Sequence, residues 1–389
     1  MRTWLVTGST GFVGQALRRA LEAAGCVEAQ DVPTRAGSAS VTVDEHADSS
    51  GQIQVLYAKR GVDPFSGRPL HNVASLHTAK SGSTPHASAL IETGSAIEPD
   101  STPQSSATTE LGPTTESESL RHPSTAPKID TVIHLAGVAH VGRAAAQEAR
   151  AVNLGGTLHL LDSAIAAGVR RFVYLSSTLA SAAETPSAHA DITDYGRDKL
   201  AAERALLEAA AQGKIEVVIL RSVNIYGVGM RGNIAAMIRL TRARRLPRLP
   251  RLTNRVSPVG VDDVAAALLA AAKLEHAGMP ALQLTLTDGN EYRINELQDA
   301  VFAAIGRRPS HLRLPRVLLF AAAAGAELLE RLRIFRSGIG LRTYRNLTRD
   351  NVFDNTDARE ALGFVPTTTF YEALPRSLEK GEEEEARPA

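Results

Sequence analysis

Short apolar runs alternating with helical repeats organise this chain. Thr3-Trp4-Leu5-Val6-Thr7, Ile53-Gln54-Val55-Leu56-Tyr57-Ala58, Asp130-Thr131-Val132-Ile133-His134-Leu135 and Phe172-Val173-Tyr174-Leu175 have the near-continuous apolar character of strands buried on both faces of a parallel sheet. Between them, apolar positions recur at three- and four-residue spacing. They do so at Ala16-Leu17, Ala20-Leu21 and Ala24, closed by Gly25, in Ala-rich stretches near 144–167 and 196–212, and from Val261 to Leu274. The pattern predicts an α/β fold, a doubly wound parallel sheet with strands near 3–7, 53–58, 130–135, 171–176 and 215–220.

Three stretches break the pattern. From about Ser81 to Pro127 the chain is dominated by Ser, Thr, Pro, Ala and Glu, too poor in large apolar residues to offset the entropy of ordering, and it reads as a disordered insertion (81–127). A looser polar segment spans Asp31 to Gly51, and residues 376–389, with Glu382 to Glu385, read as a disordered acidic tail. Val317 to Leu329 is the longest apolar stretch; it carries Gly325 and Glu327 and is too short to cross a bilayer. It is expected to lie buried against the rest of the protein, with a membrane surface as the alternative.

Composition narrows the function classes. With 389 residues, 43% hydrophobic and 22% charged, there is material for a large core, while a net charge of +1 gives no reason to expect a nucleic-acid partner. The single cysteine, Cys26, excludes an intrachain disulfide framework and fits a reducing, cytoplasmic compartment. No signal peptide and no integral membrane segment are expected.

Two motifs carry chemistry. The first strand runs directly into Gly8-Ser9-Thr10-Gly11-Phe12-Val13-Gly14 and then a helix. Gly8 permits a tight turn, Gly11 lets the backbone approach a pyrophosphate, and Gly14 lets helix and strand pack closely. The helix N-terminus offers free N–H groups to the phosphates, so Gly8, Thr10, Gly11, Phe12, Val13 and Gly14 form the expected cradle of a Rossmann-type dinucleotide site. Downstream, Tyr195 and Lys199 in Asp-Tyr-Gly-Arg-Asp-Lys-Leu stand four residues apart, on one face of a helix. A lysine cation near a phenol favours the phenolate, and is expected to lower the tyrosine pKa toward neutrality for proton transfer at an alcohol or ketone.

With these motifs the chain resembles the extended short-chain dehydrogenase/reductase family, of the epimerase/dehydratase type that acts on nucleotide sugars. Further landmarks follow in the family's order: residues 130–137, Ala151-Val152-Asn153-Leu154-Gly155-Gly156-Thr157, Ser176-Ser177-Thr178 after the fourth strand, Leu220 to Gly227, Asn254 to Asp263 and Asp357 to Pro366. The resemblance implies a Rossmann domain over 1–223. It also implies a smaller C-terminal substrate-binding domain from 224–258 and 280–375, a helix at 259–279 returning to the first domain, and a homodimer paired through the Ala-rich helices.

It further implies roles. Tyr195 is the acid/base, Lys199 lowers its pKa and holds the nicotinamide ribose, and Thr178, with Ser177 as substitute, hydrogen-bonds the reacting oxygen. Leu135, Ala136 and Gly137 let the cofactor approach, and Asn153 braces the active-site strand and the tyrosine helix. Asn224, Asn233 and Arg255 are the implied contacts to a nucleotide-sugar substrate. His134, on an apolar strand, reads as a core histidine, and no metal site is expected. The cofactor is NAD or NADP: a second strand at 53–58 would be followed by Lys59 and Arg60, favouring NADP, whereas one at 26–30 would end at Asp31, favouring NAD. Leu179-Ala180-Ser181 follows Thr178 where dehydratases of this family carry an acid pair. The expected activity is therefore a UDP-sugar 4-epimerase. The alternatives are an NADPH-dependent 4-keto-sugar reductase, another carbonyl or hydroxysteroid-type dehydrogenase, and a non-catalytic NAD(P)-binding assembly or sensor protein.

Overall fold

A computed structural model describes residues 2–24, 53–57, 128–139, 146–184, 192–275, 280–332 and 340–385. Six parallel strands form the central sheet: β1 (Arg2–Thr7), β2 (Ile53–Tyr57), β3 (Ile129–His134), β4 (Arg171–Ser177), β5 (Glu216–Ser222) and, separated from them by three short strands, β9 (Ala281–Leu286). Their order across the sheet is β2-β1-β3-β4-β5-β9. The short strands are β6 (Ile225–Tyr226), β7 (Arg255–Val256) and β8 (Val259–Gly260), and β10 (Tyr292–Arg293) follows β9.

Alternation of side chains along each strand divides the core into two layers. Trp4, Val6, Ile133, Val173 and Leu220 face helix α1 (Phe12–Ala23) and a later helix, Val261–Lys273. Leu5, Val132, Phe172, Tyr174 and Ile219 face the opposite side. That side is covered by α2 (Ala146–Arg150), a π-helical turn (Ala151–Gly156), α3 (Thr157–Ala166) and the tyrosine helix. After α4 (Thr178–Glu184), that helix is α5 (Asp194–Ala211); α6 is Asn233–Arg242 and the returning helix is α7.

A third core gathers Tyr226, Met237, Leu252, Val256, Tyr292 and Leu297 with Phe370, Leu374 and Leu378. It joins α6 to α8 (Ile294–Ala304) and α12 (Phe370–Glu385). Helices α9 (Arg316–Arg331), α10 (Leu341–Thr348) and α11 (Thr356–Leu362) lie between α8 and α12 in the chain. Asp288 pins this region by accepting from the hydroxyls of Tyr226 at 2.9 Å and Tyr292 at 2.7 Å. Asp263 of α7 accepts from Thr367 N at 2.9 Å and Thr367 Oγ1 at 2.7 Å, tying the returning helix to the C-terminal segment.

Three expectations are corrected. Residues 281–286 do not lie with the substrate domain: they are the edge strand of the main sheet, in register with Val217 to Ser222. Residues 376–385 are helical, because Phe370, Leu374 and Leu378 recur every four residues and bury that face. The stretch 317–329 is a helix, but most of its large apolar side chains are exposed rather than buried. Residues 81–127, Lys59, Arg60 and Asp31 lie outside the described residues.

Candidate active site

The site forms where β1, β3, β4 and β5 end on the same side of the sheet. Gly8 has φ +78°, and a Cβ there would lie 2.6 Å from Ala136 N, so only glycine lets the turn after β1 meet the end of β3. A Cβ at Gly14 would lie 2.2 Å from Gly8 O, which fixes how closely α1 packs on that turn. Gly11 caps α1 with no side-chain hydrogen bond, and the first turn of the helix holds no acidic residue. Backbone donors and a positive helix end therefore face outward without a competing carboxylate, an arrangement that fits a diphosphate. At Gly137 a Cβ would stand 3.3 Å from Asn153 Oδ1 and 3.6 Å from Lys199 Nζ, so its absence keeps space open beside the lysine. These features fit a dinucleotide.

Asn153 braces the segment after β3 by both ends of its amide: Oδ1 accepts from Val138 N at 2.7 Å and Nδ2 donates to Val138 O at 2.9 Å. It sits in the π-helical turn, whose wider winding is often found at functional sites. The core role expected for His134 holds. Thr7 Oγ1 lies 2.6 Å from its Nδ1 and Thr157 Oγ1 2.9 Å from its Nε2, and burial, helped by the Lys199 charge, pushes it down to about 3.

Strand β4 delivers Ser176, Ser177 and Thr178 to its carboxyl end, with Thr178 buried and Ser177 half-buried. Ser177 Oγ accepts from Leu179 N at 3.3 Å. The tyrosine helix α5, capped by Thr193 Oγ1 accepting from Gly196 N at 2.9 Å, crosses this strand end closely because residue 196 is glycine. A Cβ there would lie 2.5 Å from Leu179 O. Tyr195 and Lys199 are brought to the same side of α5, with the Lys199 ammonium 5.8 Å from the Tyr195 ring centroid and 4.3 Å from that of Tyr174. Lys199 Nζ donates to Leu175 O at 2.8 Å.

The electrostatics reverse one expectation. Burial pushes the Tyr195 phenol up to about 12 rather than toward neutrality. Burial also drives Lys199 down to about 7, partly offset by the charge of Glu203 one turn along. Burial thus disfavours the charged form of both groups, and a phenolate at Tyr195 requires that Lys199 carry its proton. Glu203 is fully buried and held bidentately by Arg221 of β5, at 3.1 Å from Nε to Oε1 and 2.6 Å from Nη2 to Oε2.

The substrate-side residues are more dispersed. Asn224 follows β5 half-buried, its carbonyl accepting from Val259 N at 3.1 Å. Asn233 is exposed at the start of α6. The Arg255 guanidinium is exposed and paired with Glu291 at 2.5 Å, while its backbone N donates to Asp350 Oδ1 at 2.7 Å. The structure thus gathers Tyr195, Lys199, Gly137 and Asn153, with Ser177 and Thr178 across the α4–α5 contact, and leaves Arg255 in a surface ion pair. Tyr174, Gly196 and Glu203 were missed from sequence. Glu203 had a signal, since it repeats the four-residue spacing of Tyr195 and Lys199, whereas the Tyr174 contact crosses between elements. Among the described residues there is no cluster of potential metal ligands.

Comparison with known proteins identifies the family of the chain. The family model described as "NAD dependent epimerase/dehydratase family" matches residues 4–281. An uncharacterized protein, y4nL, of Sinorhizobium fredii (strain NBRC 101917 / NGR234) is 30% identical over 263 residues, covering 64% of this chain and 72% of that protein. A UDP-glucose 4-epimerase of Vibrio cholerae is 27% identical over 264 residues, covering 64% of this chain and 75% of its own. In fold, the chain superimposes on MoeE5, solved in complex with UDP-glucose and NAD, with a TM-score of 0.58 at 22% identity, covering 99% of this chain and 100% of that one. The protein belongs to the NAD dependent epimerase/dehydratase family, as an NAD(P)-dependent enzyme of the extended short-chain dehydrogenase type.

Proposed function

We propose that the protein is a nucleotide-sugar 4-epimerase, acting on a UDP-hexose by transient oxidation at C4. The observation that supports this reading is that Tyr195 and Lys199 share one side of α5, which packs at Gly196 against Leu179, the residue after Thr178, at the sheet end that also holds the glycine turn, with Leu179-Ala180-Ser181 in place of an acid pair. Bound dinucleotide supplies a reversible hydride acceptor. Tyr195 takes the C4 hydroxyl proton as that carbon loses hydride, and, once the 4-keto sugar has presented its other face, returns the proton to the oxygen as C4 regains the hydride on that face. Thr178, or Ser177, holds the oxygen during both transfers. Lys199 must carry its proton for the phenolate to be accessible. The names of the Vibrio relative and of MoeE5's ligands support the substrate class.

A second reading, an NADPH-dependent 4-keto-sugar reductase, is favoured by the register of β2. That strand pairs with β1 from Ile53 to Tyr57, so Lys59 and Arg60 follow it closely in sequence, as suits a 2′-phosphate. The same reading of the family carries a cytoplasmic homodimer paired through α2, α3 and α5.

The test is a panel of UDP-hexoses and UDP-N-acetylhexosamines with and without NAD or NADP, read by product stereochemistry and reduced-nicotinamide absorbance. Epimer formed without net reduced cofactor, and lost at least about a thousandfold in Tyr195→Phe while dinucleotide affinity is kept, is the expected result. Stoichiometric NADPH consumption moves the assignment to the reductase. Dinucleotide binding with no turnover on any nucleotide sugar refutes both.

A further inference from the structure

Lys199 is an ammonium held almost out of reach of water. It is 3% exposed, and it donates one N–H to Leu175 O at 2.8 Å. Its other close neighbour is the ring of Tyr174, fully buried, with the centroid 4.3 Å from Nζ. A carbonyl oxygen and a π face are both electron-rich. An ammonium is attracted to both, and a neutral amine gains far less from either.

The Tyr174 ring is fixed by its own neighbours. His134, its partner in the register of β3 with β4, lies with its ring 5.6 Å from that of Tyr174 at an interplanar angle of 12°. His134 is in turn held at both ring nitrogens by Thr7 and Thr157. Strand β4 therefore offers α5 a rigid aromatic face at the turn that carries Lys199.

Among the described residues, the charged and titratable groups around Lys199 are Tyr195, Asp198 and Glu203 on its own helix, His134 of β3 and Tyr174 of β4. Asp198 faces Arg150 of α2 at 3.5 Å, and Glu203 is held bidentately by Arg221 of β5, so neither carboxylate is given over to the lysine. Burial keeps His134 neutral across the range in which Lys199 titrates. The Tyr174 face is thus set against an ammonium that has only a backbone carbonyl besides it.

We propose that Tyr174 is a positioning residue for the proton transfer: its ring face holds the Lys199 side chain at the strand end and keeps it in the charged form that a Tyr195 phenolate needs. This role rests on reading Tyr195 and Lys199 as the proton-transfer pair.

The test grades the ring face without changing its shape. In the full chain carrying lysine labelled with carbon-13 at Cε, the Lys199 resonance is assigned by its loss in Lys199→Met and followed through a pH titration. Burial has brought the parent to about 7, within easy reach of the titration. Tyr174→Phe should leave the midpoint within about 0.3 pH unit of the parent's. Phenylalanine bearing three ring fluorines, introduced at position 174 through a suppressed stop codon, should lower it by about one pH unit, because fluorine withdraws electron density from the face. A ring with two fluorines should fall between them. Since these rings share one shape, a purely structural role for Tyr174 predicts no trend, and equal midpoints across the series overturn the proposal.

A second readout joins the contact to the reaction. On a UDP-hexose that the parent epimerises, the three-fluorine variant should turn over about tenfold more slowly near about pH 8.5 and almost as fast as the parent near about pH 5.5, where Lys199 is protonated in both. A turnover ratio that is the same at both pH values overturns the role in proton transfer even if the titration shifts. If the parent epimerises no UDP-hexose, the proposed reaction fails, and the titration alone decides whether Tyr174 holds the lysine charged.

Discussion

Replacing Glu203 by glutamine removes one charge from a pair that the fold has taken out of water. Glu203 is 0% exposed and Arg221 8%, and the carboxylate also accepts from Gln283 Nε2 at 3.1 Å. The substitution keeps the shape but turns one acceptor into a donor facing Arg221 or Gln283. Breaking a buried pair by removing one partner costs about 3–5 kcal/mol. Arg221 retains Glu184 at 3.0 Å and Ser181 at 2.8 Å, and Glu184 is exposed enough to be hydrated, so the expectation lies at the lower end, about 3 kcal/mol. With a urea m-value of roughly 3 kcal/mol per molar, the unfolding midpoint should fall by about 1 M. Arg221→Met with Glu203→Leu should cost less than Glu203→Gln alone, since the orphaned charge disappears with its partner. A midpoint for Glu203→Gln within about 0.2 M of the parent would refute the reasoning, because that is the scale of a solvated surface pair. Loss of the Glu203 charge should also push Lys199 further down, visible as a shifted pH dependence of turnover.

Other perturbations probe the glycine turn and the buried histidine. Gly14→Ala should abolish dinucleotide binding measured by calorimetry, because its Cβ would stand 2.2 Å from Gly8 O, whereas Gly11→Ala, at 3.2 Å from the same atom, should weaken binding by a smaller factor; equal effects would mean that backbone approach is not what these positions enforce. His134 is held down to about 3 against about 6.5 in an unfolded chain, so the unfolded state binds the extra proton between these values. Stability should therefore fall as pH drops from 6.5 toward 3, and His134→Gln should flatten that slope in urea titrations across the range.

Which parts of this fold were legible depended on how completely each element is buried. Strands β1, β3, β4 and β5 are interior, so Trp4-Leu5-Val6 or Phe172-Val173-Tyr174 needs no polar alternation and stands out against its flanks. Strand β9 is an edge: Gln283 and Thr285 interrupt Leu282, Leu284 and Leu286, and the run looked no different from the irregular chain around it. Pro375 and the run of glutamates concealed the helical repeat of Phe370, Leu374 and Leu378. At the site, residues within one turn or one helix, such as Gly8 to Gly14 or Tyr195 and Lys199, carried their own spacing. Tyr174 beneath Lys199 is a contact between strand and helix, which no local spacing encodes. The direction of the Tyr195 shift was misjudged for a related reason: proximity of a cation is local, while desolvation is a property of the whole enclosure.

The close approach of Gly8 to Ala136 has a temporal side. The N-terminal turn is completed by a segment more than a hundred residues downstream, and β1 sits between β2 and β3 in the finished sheet. On the ribosome, the Trp4-Leu5-Val6 strand must therefore wait for β3 to emerge, roughly 6 to 25 seconds at about 5–20 residues per second. During that interval its apolar edges are available to chaperones and proteases. Nascent chains stalled before residue 128 should be cleaved by protease near Gly8 to Gly14, and chains extended through β5 should be protected there; equal cleavage at both lengths would show that this wait does not exist.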